Sequence, residues 1–201
     1  MADDTTKPVL QIVIASTRPG RVGEPVARWI EPIARAHEGF DVEVVDLAEV
    51  ALPFLDEPMH PFMRQYTHQH TRDWSAKVDA ADAFVLVVPE YNHGISAVLK
   101  NALDFLFFEW HYKPAAVVSY GAVSGGTRGV QALVGSLWGL KMPLIFNNVN
   151  IPFVQELIAD GELKANEIME DAAGRMLDEL LRMEQALRPL REGVRGMAAA
   201  S

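Results

Sequence analysis

The chain has 201 residues, of which 49% are hydrophobic and 22% are charged, and its net charge is -9 at pH 7. This composition is typical of one globular domain with a sizeable core. The negative charge disfavours a nucleic-acid surface, which would need clustered lysine and arginine. Apolar runs are far shorter than a bilayer span, and the polar residues 1–7 do not resemble a signal peptide. We expect a cytoplasmic protein with no nucleic-acid or membrane partner.

Cysteine is absent from the sequence. Disulfides, thiolate metal ligands and cysteine nucleophiles are therefore excluded. If the protein carries out redox chemistry, a bound cofactor must supply it.

The first predicted unit is a strand, a polar loop and a helix. The apolar run Val9–Ala15 predicts a buried strand, and apolar residues at helical spacing from Val22 predict a helix that closes near Gly39. Pro32 lies inside that pattern and should bend or end the helix. The loop 16–23 offers hydroxyls, backbone N–H groups and a helix N-terminus, which are the ingredients of a phosphate site. An ordinary tight turn fits the same residues.

The next region contains a second strand and a long irregular segment. Asp41–Leu47 alternates valines with acids and predicts a strand, at whose end Asp46 is expected to be solvated. Residues 48–69 carry several prolines and two of three nearby histidines, His60, His68 and His70; we interpret this segment as a surface loop rather than a metal site. Residues 71–81 predict a helix with Trp74 and Val78 facing inward.

The most informative stretch starts at a third strand, Phe84–Val88, which is apolar and rich in β-branched residues. A polar turn, Pro89–Gly94, follows it. Leu99, Leu103 and Leu106 then recur at the spacing of one helix face. A strand thus delivers a polar loop to the carboxyl edge of a parallel sheet, where ligands bind in open α/β proteins.

The segment Phe105–Tyr112 is unusually aromatic for the end of a surface helix. Part of it must pack on the core. The remainder is compatible with an oligomer interface and also with an enlarged core beneath a loop.

A fourth strand, Pro114–Tyr120, leads into a glycine-rich loop, Ser119–Gly129. Glycines allow the backbone to approach a planar ligand closely, although a mobile loop without a ligand fits the composition too. The remaining elements are predicted as a helix over 130–140, a fifth strand over 143–146, a loop over 147–163, a helix over 165–187 and a frayed end over 188–201. Strands alternating with helices predict a doubly wound α/β sheet.

Pro89-Glu90-Tyr91-Asn92, followed by Leu99-Lys100-Asn101-Ala102-Leu103-Asp104, resembles the NADPH-dependent FMN reductase family. The resemblance implies a flavodoxin-like α/β fold: a five-stranded parallel sheet of order 2-1-3-4-5 with helices on both faces. It implies one domain over residues 1–201, with flexible tails at 1–7 and 189–201. Ser96 stands where many relatives have proline, so we expect a slightly looser helix start.

The resemblance also implies an FMN site. Ser16 and Arg18 match the family's phosphate loop, while Arg21 and Gly23 depart from it, so Arg21 is expected either to clamp the phosphate or to face solvent. The implied cofactor-binding residues are Ser16, Arg18, Arg21, Val22, Gly23, Pro89, Glu90, Tyr91, Asn92, His93, Ser119, Tyr120, Gly121, Gly125 and Gly126. No metal ligand or catalytic side chain is implied, because the flavin carries the chemistry, and we assign Glu90 a structural role.

The implied function is FMN-dependent oxidation of NAD(P)H by a ping-pong mechanism. NADPH or NADH is the co-substrate, and a flavin, quinone or similar small molecule is the acceptor. A homodimer or homotetramer is expected. Two alternatives remain: a flavodoxin-type electron carrier without NAD(P)H activity, and a flavin-free binding module on the same fold.

Overall fold

A computed structural model describes residues 7–199, with side chains described to residue 193. Five parallel strands form one sheet: β1 (Val9–Ile14), β2 (Asp41–Asp46), β3 (Ala83–Pro89), β4 (Ala115–Tyr120) and β5 (Val149–Ile151). Their order is β2-β1-β3-β4-β5, which confirms the flavodoxin-like topology. Every residue of β3 and β4 is buried, because helices cover both faces of the sheet.

The helices divide between the two faces. They are α1 (Gly23–Ala36), α2 (Leu47–Val50), α3 (Gln69–Asp79), α4 (Ala97–Asp104), α5 (Thr127–Gly139) and α6 (Glu167–Ala199). Val85 and Val87 of β3 belong to the core that α1 and α6 cover. Phe84 and Leu86 point the other way, into the core of α3, α4 and α5, where Trp74 and Val78 are buried as predicted. Because successive side chains of β3 point to opposite faces of the sheet, this strand contributes residues to both cores.

Of the two outcomes expected at Pro32, a bend or an end of the helix, the end does not occur. Helix α1 continues through Pro32 to Ala36. Pro32 lies on the exposed side of the helix, so the carbonyl that would have accepted from its missing N–H can bind water. Ile30 and Ala34 stay buried against the sheet.

Ser96 does not loosen the start of α4. Its side chain accepts a hydrogen bond of 3.3 Å from the N–H of Leu99 and caps the helix.

The fifth strand is not at the predicted position, Pro143–Phe146. Ala115 donates to the carbonyl of Pro143 and accepts from the N–H of Ile145, both at 2.9 Å, so the chain first meets β4 as a short bridge. The Asn148 side chain then accepts a hydrogen bond of 2.7 Å from Val117 N–H. Regular pairing starts only at Val149. A side-chain acceptor therefore interrupts the edge strand and moves β5 towards the chain end.

The C-terminal part is more ordered than predicted. The expected loop 147–163 contains β5 and a hairpin of two short strands, β6 (Ile158–Ala159) and β7 (Glu162–Leu163). Helix α6 extends to Ala199 instead of fraying from Arg188. The buried Glu184 binds Arg188 at 2.8 Å and Arg191 at 2.5 Å, so ion pairs rather than an apolar stripe fasten this part of the helix. Residues 1–6 of the predicted N-terminal tail, and residues 200–201, lie outside the described residues.

The aromatic segment splits between core and surface. Phe105, Leu106 and Trp110 are buried, and the Trp110 ring lies 5.2 Å from that of Phe84. Phe107 and Phe108 are half-buried. Within residues 7–199, none of the helices has both the length and the apolar character of a membrane span.

Replacing Asn148 with alanine should lower the free energy of unfolding by about 1–3 kcal/mol, because the N–H of Val117 loses its acceptor inside the sheet. Urea denaturation monitored by circular dichroism measures this. Asn147→Ala is the matched control, since no side-chain hydrogen bond of Asn147 is found in the described structure. Equal stability of the two variants would show that the bridging amide does not hold the edge strand.

Candidate functional site

A cleft of about 280 Å³ opens at the carboxyl edge of the sheet. Segments that follow β1, β3, β4 and β5 form its walls. Its lining residues are Arg18, Val22, Pro89, Glu90, Tyr91, Tyr120, Gly121, Ala122, Phe153, Val154, Gln155 and Glu156. Most of this surface is apolar, as expected for a site that takes a ring system.

The loop after β1 is fixed by a buried contact with β4. Ser16 is fully buried, and the hydroxyl of Tyr120 donates a hydrogen bond of 3.2 Å to its Oγ. A Cβ at Gly23 would lie 2.4 Å from that Oγ and 3.0 Å from the Tyr120 hydroxyl, so no larger residue fits there. Burial raises the pKa of Tyr120 to about 12, which keeps its hydroxyl protonated. Ser16 and Gly23 therefore shape the loop without lining the cleft.

Arg18 is the positive charge that faces the cleft. Within residues 7–193, its only side-chain hydrogen bond runs to the carbonyl of Pro19 at 3.4 Å, and no carboxylate there lies at ion-pair distance. The backbone N–H groups of Thr17, Arg18, Val22 and Gly23 have no acceptor in the described chain. Val22 and Gly23 stand at the N-terminus of α1, and Thr17 and Arg18 lie in the loop before it, so this end of the cleft suits an anion.

Arg21 takes neither of the two expected roles. Its guanidinium binds Asp46 at 2.5 and 2.6 Å, binds Glu24 at 2.5 Å, and donates to the carbonyl of Ser16. The hydrogen bond to Asp46 is the main reason that the pKa of Arg21 is raised. Arg21 therefore fastens the loop to the end of β2 and is engaged by carboxylates, whereas within the described chain Arg18 is not.

Because Asp46 pairs with Arg21, it is not solvated at the end of β2, contrary to the expectation from the sequence. Its side chain is 12% exposed and accepts from the N–H of Ala48, which caps α2. Burial acts to raise the pKa of Asp46. Hydrogen bonds from Arg21 and Ala48 outweigh burial, so the pKa lies below its usual value.

The turn after β3 is a tight hairpin. Tyr91 and Gly94 exchange two backbone hydrogen bonds of 3.2 and 3.0 Å, and Asn92 and His93 adopt positive φ angles of 50° and 64°. Pro89, Glu90 and Tyr91 line the cleft, whereas Asn92 and His93 are exposed outside its lining.

Glu90 joins this turn to the glycine-rich loop. Its carboxylate accepts from the N–H groups of Arg128 at 3.1 Å and Gly129 at 3.4 Å, at the start of α5. Burial acts to raise the pKa of Glu90, but hydrogen bonds from Ser124 and from these two N–H groups lower it further than burial raises it. The carboxylate is therefore held ionised as a helix cap.

The glycine-rich loop has a structural half and a lining half. The Ser119 hydroxyl donates to the carbonyl of Gly125 at 2.7 Å, and Gly125 and Gly126 adopt positive φ angles of 59° and 88°. A Cβ at Gly126 would lie 2.7 Å from that of Ser119. These three residues fold the loop. Of the five residues in this loop that were predicted to bind the cofactor, Tyr120 and Gly121 line the cleft.

Sequence reasoning missed Ala122 and the wall formed by residues 153–156. Phe153 donates its N–H to Ala122 at 3.0 Å, and Val154 donates to Gly121 at 3.2 Å, so this wall is anchored to the glycine-rich loop. It follows β5 at the carboxyl edge. Ligand sites in such sheets lie at the carboxyl ends of the strands, so a correct prediction of β5 would have indicated this wall.

The histidine segment lies apart from the cleft. The rings of His68 and His70 stack with centroids 5.1 Å apart, and His70 contacts Asp56 at 3.0 Å. Asp56 is the polar partner that the sequence pattern did not identify. Over the described residues, no group of three or more histidine, aspartate or glutamate side chains is arranged to hold a metal ion.

Comparisons with known proteins agree with this architecture. The family model described as NADPH-dependent FMN reductase matches residues 9–156. A Saccharomyces cerevisiae protein named NAD(P)H-dependent FMN reductase is 36% identical over 176 residues, which are 79% of this chain and 92% of that protein. A Schizosaccharomyces pombe protein of the same name is 42% identical over 121 residues, 59% of this chain. The chain spans only 60% of that second protein.

A solved structure supports the fold. The flavoenzyme NAD(P)H:(acceptor) oxidoreductase FerB from Paracoccus denitrificans superposes with a TM-score of 0.71, at 18% identity, over 89% of this chain and 98% of its own. This likeness concerns the fold alone. The match of the family model over most of the sequence, with the relatives at 36% and 42% identity, shows that the chain belongs to the NADPH-dependent FMN reductase family.

Proposed function

We propose that the chain is an FMN-dependent NAD(P)H oxidoreductase and that the cleft is its FMN site. The observation that carries this proposal is one cleft with an anion-binding end and apolar walls. Arg18 and free backbone N–H groups mark the anion-binding end, and Pro89, Tyr91 and Gly121 contribute to the walls. FMN combines a phosphate with a planar ring, so both of its parts find a matching surface.

The residues divide into those that would hold FMN and those that support them. Arg18 and the N–H groups of the loop after β1 would bind the phosphate, with Val22 beside them. Pro89, Tyr91, Tyr120 and Gly121 would flank the ring. The remaining predicted site residues support the loops or stand at the rim: Ser16, Arg21, Gly23, Glu90, Asn92, His93, Ser119, Gly125 and Gly126.

FMN, when bound, supplies a group that accepts a hydride and passes it on. In the complete reaction NAD(P)H loses a hydride and becomes NAD(P)⁺, and a quinone acceptor gains that hydride and one proton from water to become a hydroquinone. The residues of the cleft would orient the reactants through contacts with the phosphate and the ring of FMN. Glu90 is engaged as a helix cap and Tyr120 keeps its proton, so neither is available as a base.

A flavodoxin-type carrier would bind FMN in the same way but would not oxidise NADPH. The purified protein incubated anaerobically with FMN and NADPH separates the two functions. Bleaching of the flavin absorbance supports the reductase, whereas bound but unbleached flavin favours the carrier. A protein that ignores added FMN would contradict both.

Arg18→Ala should weaken FMN binding roughly tenfold to a hundredfold, because a charge-assisted hydrogen bond to phosphate contributes about 1.5–3 kcal/mol. Fluorescence titration of the apoprotein with FMN measures this. Arg21→Ala is the matched control: it should lower thermal stability, because Asp46 loses its buried partner, and should change FMN affinity less. Unchanged affinity in Arg18→Ala would remove this loop from the site.

Steady-state kinetics should be ping-pong, with parallel double-reciprocal lines for NADPH and acceptor. The loops surround one cleft, so we expect the nicotinamide ring and the acceptor to use one open ring face in turn. A rapid-mixing experiment should show NADPH bleaching the flavin before acceptor is added. Intersecting lines with normal bleaching would overturn the shared face and leave the flavin chemistry intact.

We also propose that the chain is at least a dimer. Residues 54–63 expose five large apolar side chains, including Phe54 at 84% and Phe62 at 53% exposure. The Phe62 ring lies 5.6 Å from that of Phe107 and 5.1 Å from that of Phe108. This surface joins the loop 48–69 to the aromatic segment Phe105–Tyr112, and a second copy of the chain would cover it.

Light scattering at micromolar concentration should give a mass of at least twice the 22.2 kDa of one chain. Phe62→Asp should shift the protein towards the monomer, because a charge would be buried in the contact. Phe146→Asp, at another highly exposed phenylalanine outside this surface, is the control. A wild-type protein that stays monomeric would defeat the proposal.

A further inference from the structure

We infer that the wall of residues 153–156 selects the electron acceptor, favouring uncharged planar aromatic molecules such as quinones over anionic ones. This inference rests on the proposed function, because it concerns molecules that reach a flavin held in the cleft. Three features of the wall support such selection: the conformation of Phe153, the charge of Glu156, and the position of both relative to Arg18.

Phe153 presents an aromatic side chain at the cleft in an unusual backbone conformation. Its φ is 48°, a left-handed value that bulky residues rarely adopt, and its side chain is 49% exposed. Hydrogen bonds from Phe153 to Ala122 and from Glu156 to the Phe153 carbonyl, of 3.0 and 2.9 Å, hold this turn. Strained, exposed aromatic residues at a cleft are typical of ligand contacts rather than of core packing.

Phe153 does not stand alone at the cleft. Tyr91, from the turn after β3, also lines it and is 39% exposed. The two rings come from different walls, so a planar molecule entering the cleft meets an aromatic side chain on either wall. Offset or edge-to-face contacts with such rings favour an aromatic acceptor.

Glu156 brings a negative charge to the same wall. Its side chain is exposed and, among the described residues, has no hydrogen-bond or ion-pair partner. The other lining carboxylate, Glu90, is engaged by the N-terminus of α5. Glu156 is thus the uncompensated carboxylate of the described cleft lining.

The sheet order separates this carboxylate from the cation. Arg18 follows β1 and Glu156 follows β5, with β3 and β4 between them. Strands in a sheet are about 4.8 Å apart, so the ends of β1 and β5 lie roughly 14 Å apart. The cleft is therefore polarised: the β1 side attracts the phosphate of FMN, and the β5 side repels anions.

This polarity distinguishes between the two substrates. The dihydronicotinamide ring is uncharged, and the phosphates of NAD(P)H can remain outside the β5 side while the ring enters. A sulfonated or carboxylated acceptor carries its charge on the ring system itself. That charge must approach Glu156, so such an acceptor should react more slowly than its neutral counterpart.

The test is the oxidation of the photoreduced, FMN-loaded protein by an acceptor, followed by rapid mixing without NADPH. A neutral naphthoquinone and its ring-sulfonated analogue are compared, and the ratio of their rate constants is taken for each variant. Glu156→Gln should shift this ratio towards the sulfonated quinone by roughly threefold to tenfold, an effect that salt reduces in the wild type. Asp160→Asn is the matched control, because it removes the same charge outside the cleft and asparagine tolerates the positive φ of 53° at that position.

Phe153 is tested by two variants. Phe153→Ala should slow the reaction with the neutral quinone about tenfold, and Phe153→Leu, which keeps bulk without a π face, should fall between alanine and the wild type. FMN affinity and melting temperature, measured on each variant, show whether the wall still folds.

The outcomes separate the inference from the proposed function. If the protein binds no FMN, or NADPH does not bleach it, the proposed function fails. If both occur but Glu156→Gln changes the ratio no more than Asp160→Asn does, the electrostatic selection is wrong. If Phe153→Ala binds FMN normally and reacts with the neutral quinone at the wild-type rate, the aromatic wall is wrong.

Discussion

The site depends on a hydrogen bond between two strands that are not neighbours. Tyr120 ends β4 and reaches across β3 to Ser16, the residue that begins the loop after β1. The contact leaves no room for a Cβ at Gly23, where α1 starts. One buried pair thus sets the distance between the loop with free N–H groups and the loop that lines the apolar part of the cleft. Because the pair is neutral and satisfied, it costs little to bury.

A second feature is that support and ligand contact are assigned to different residues. Arg21 is committed to Asp46, Glu90 to the N-terminus of α5, and Ser119 to Gly125. These groups satisfy one another and fix the backbone. Arg18, Tyr91 and Phe153 remain exposed at the cleft. Such a preorganised backbone lets the exposed side chains meet a ligand with little reordering.

Much of this arrangement was predictable from sequence. The strands β1, β3 and β4 are almost entirely buried and consist mainly of apolar residues, and the loops after them carry the family's motifs. Two of the errors share one cause, which is a partner far along the chain. The Asn148 side chain accepts from Val117 N–H where a backbone carbonyl of the edge strand would be expected, and Arg21 pairs with Asp46, which is 25 residues away. Local spacing does not contain such pairings.

The misplaced fifth strand had the largest consequence, since it concealed the wall of residues 153–156. The C-terminal helix shows a different limit: Arg188 and Arg191 form ion pairs with the buried Glu184 in a part of the sequence that has no apolar stripe. Apolar periodicity therefore located the sheet and its main helices. It did not locate elements that polar side chains hold in place.

The central claim is that one cleft, built by the loops after β1, β3, β4 and β5, binds FMN. Hydrogen exchange of backbone amides, measured by mass spectrometry with and without FMN, tests it directly. The account predicts that residues 16–23, 89–94, 119–126 and 152–156 gain protection together at FMN concentrations that saturate the fluorescence titration. Unchanged exchange in all four segments when FMN is bound, or protection confined to other parts of the chain, would contradict it.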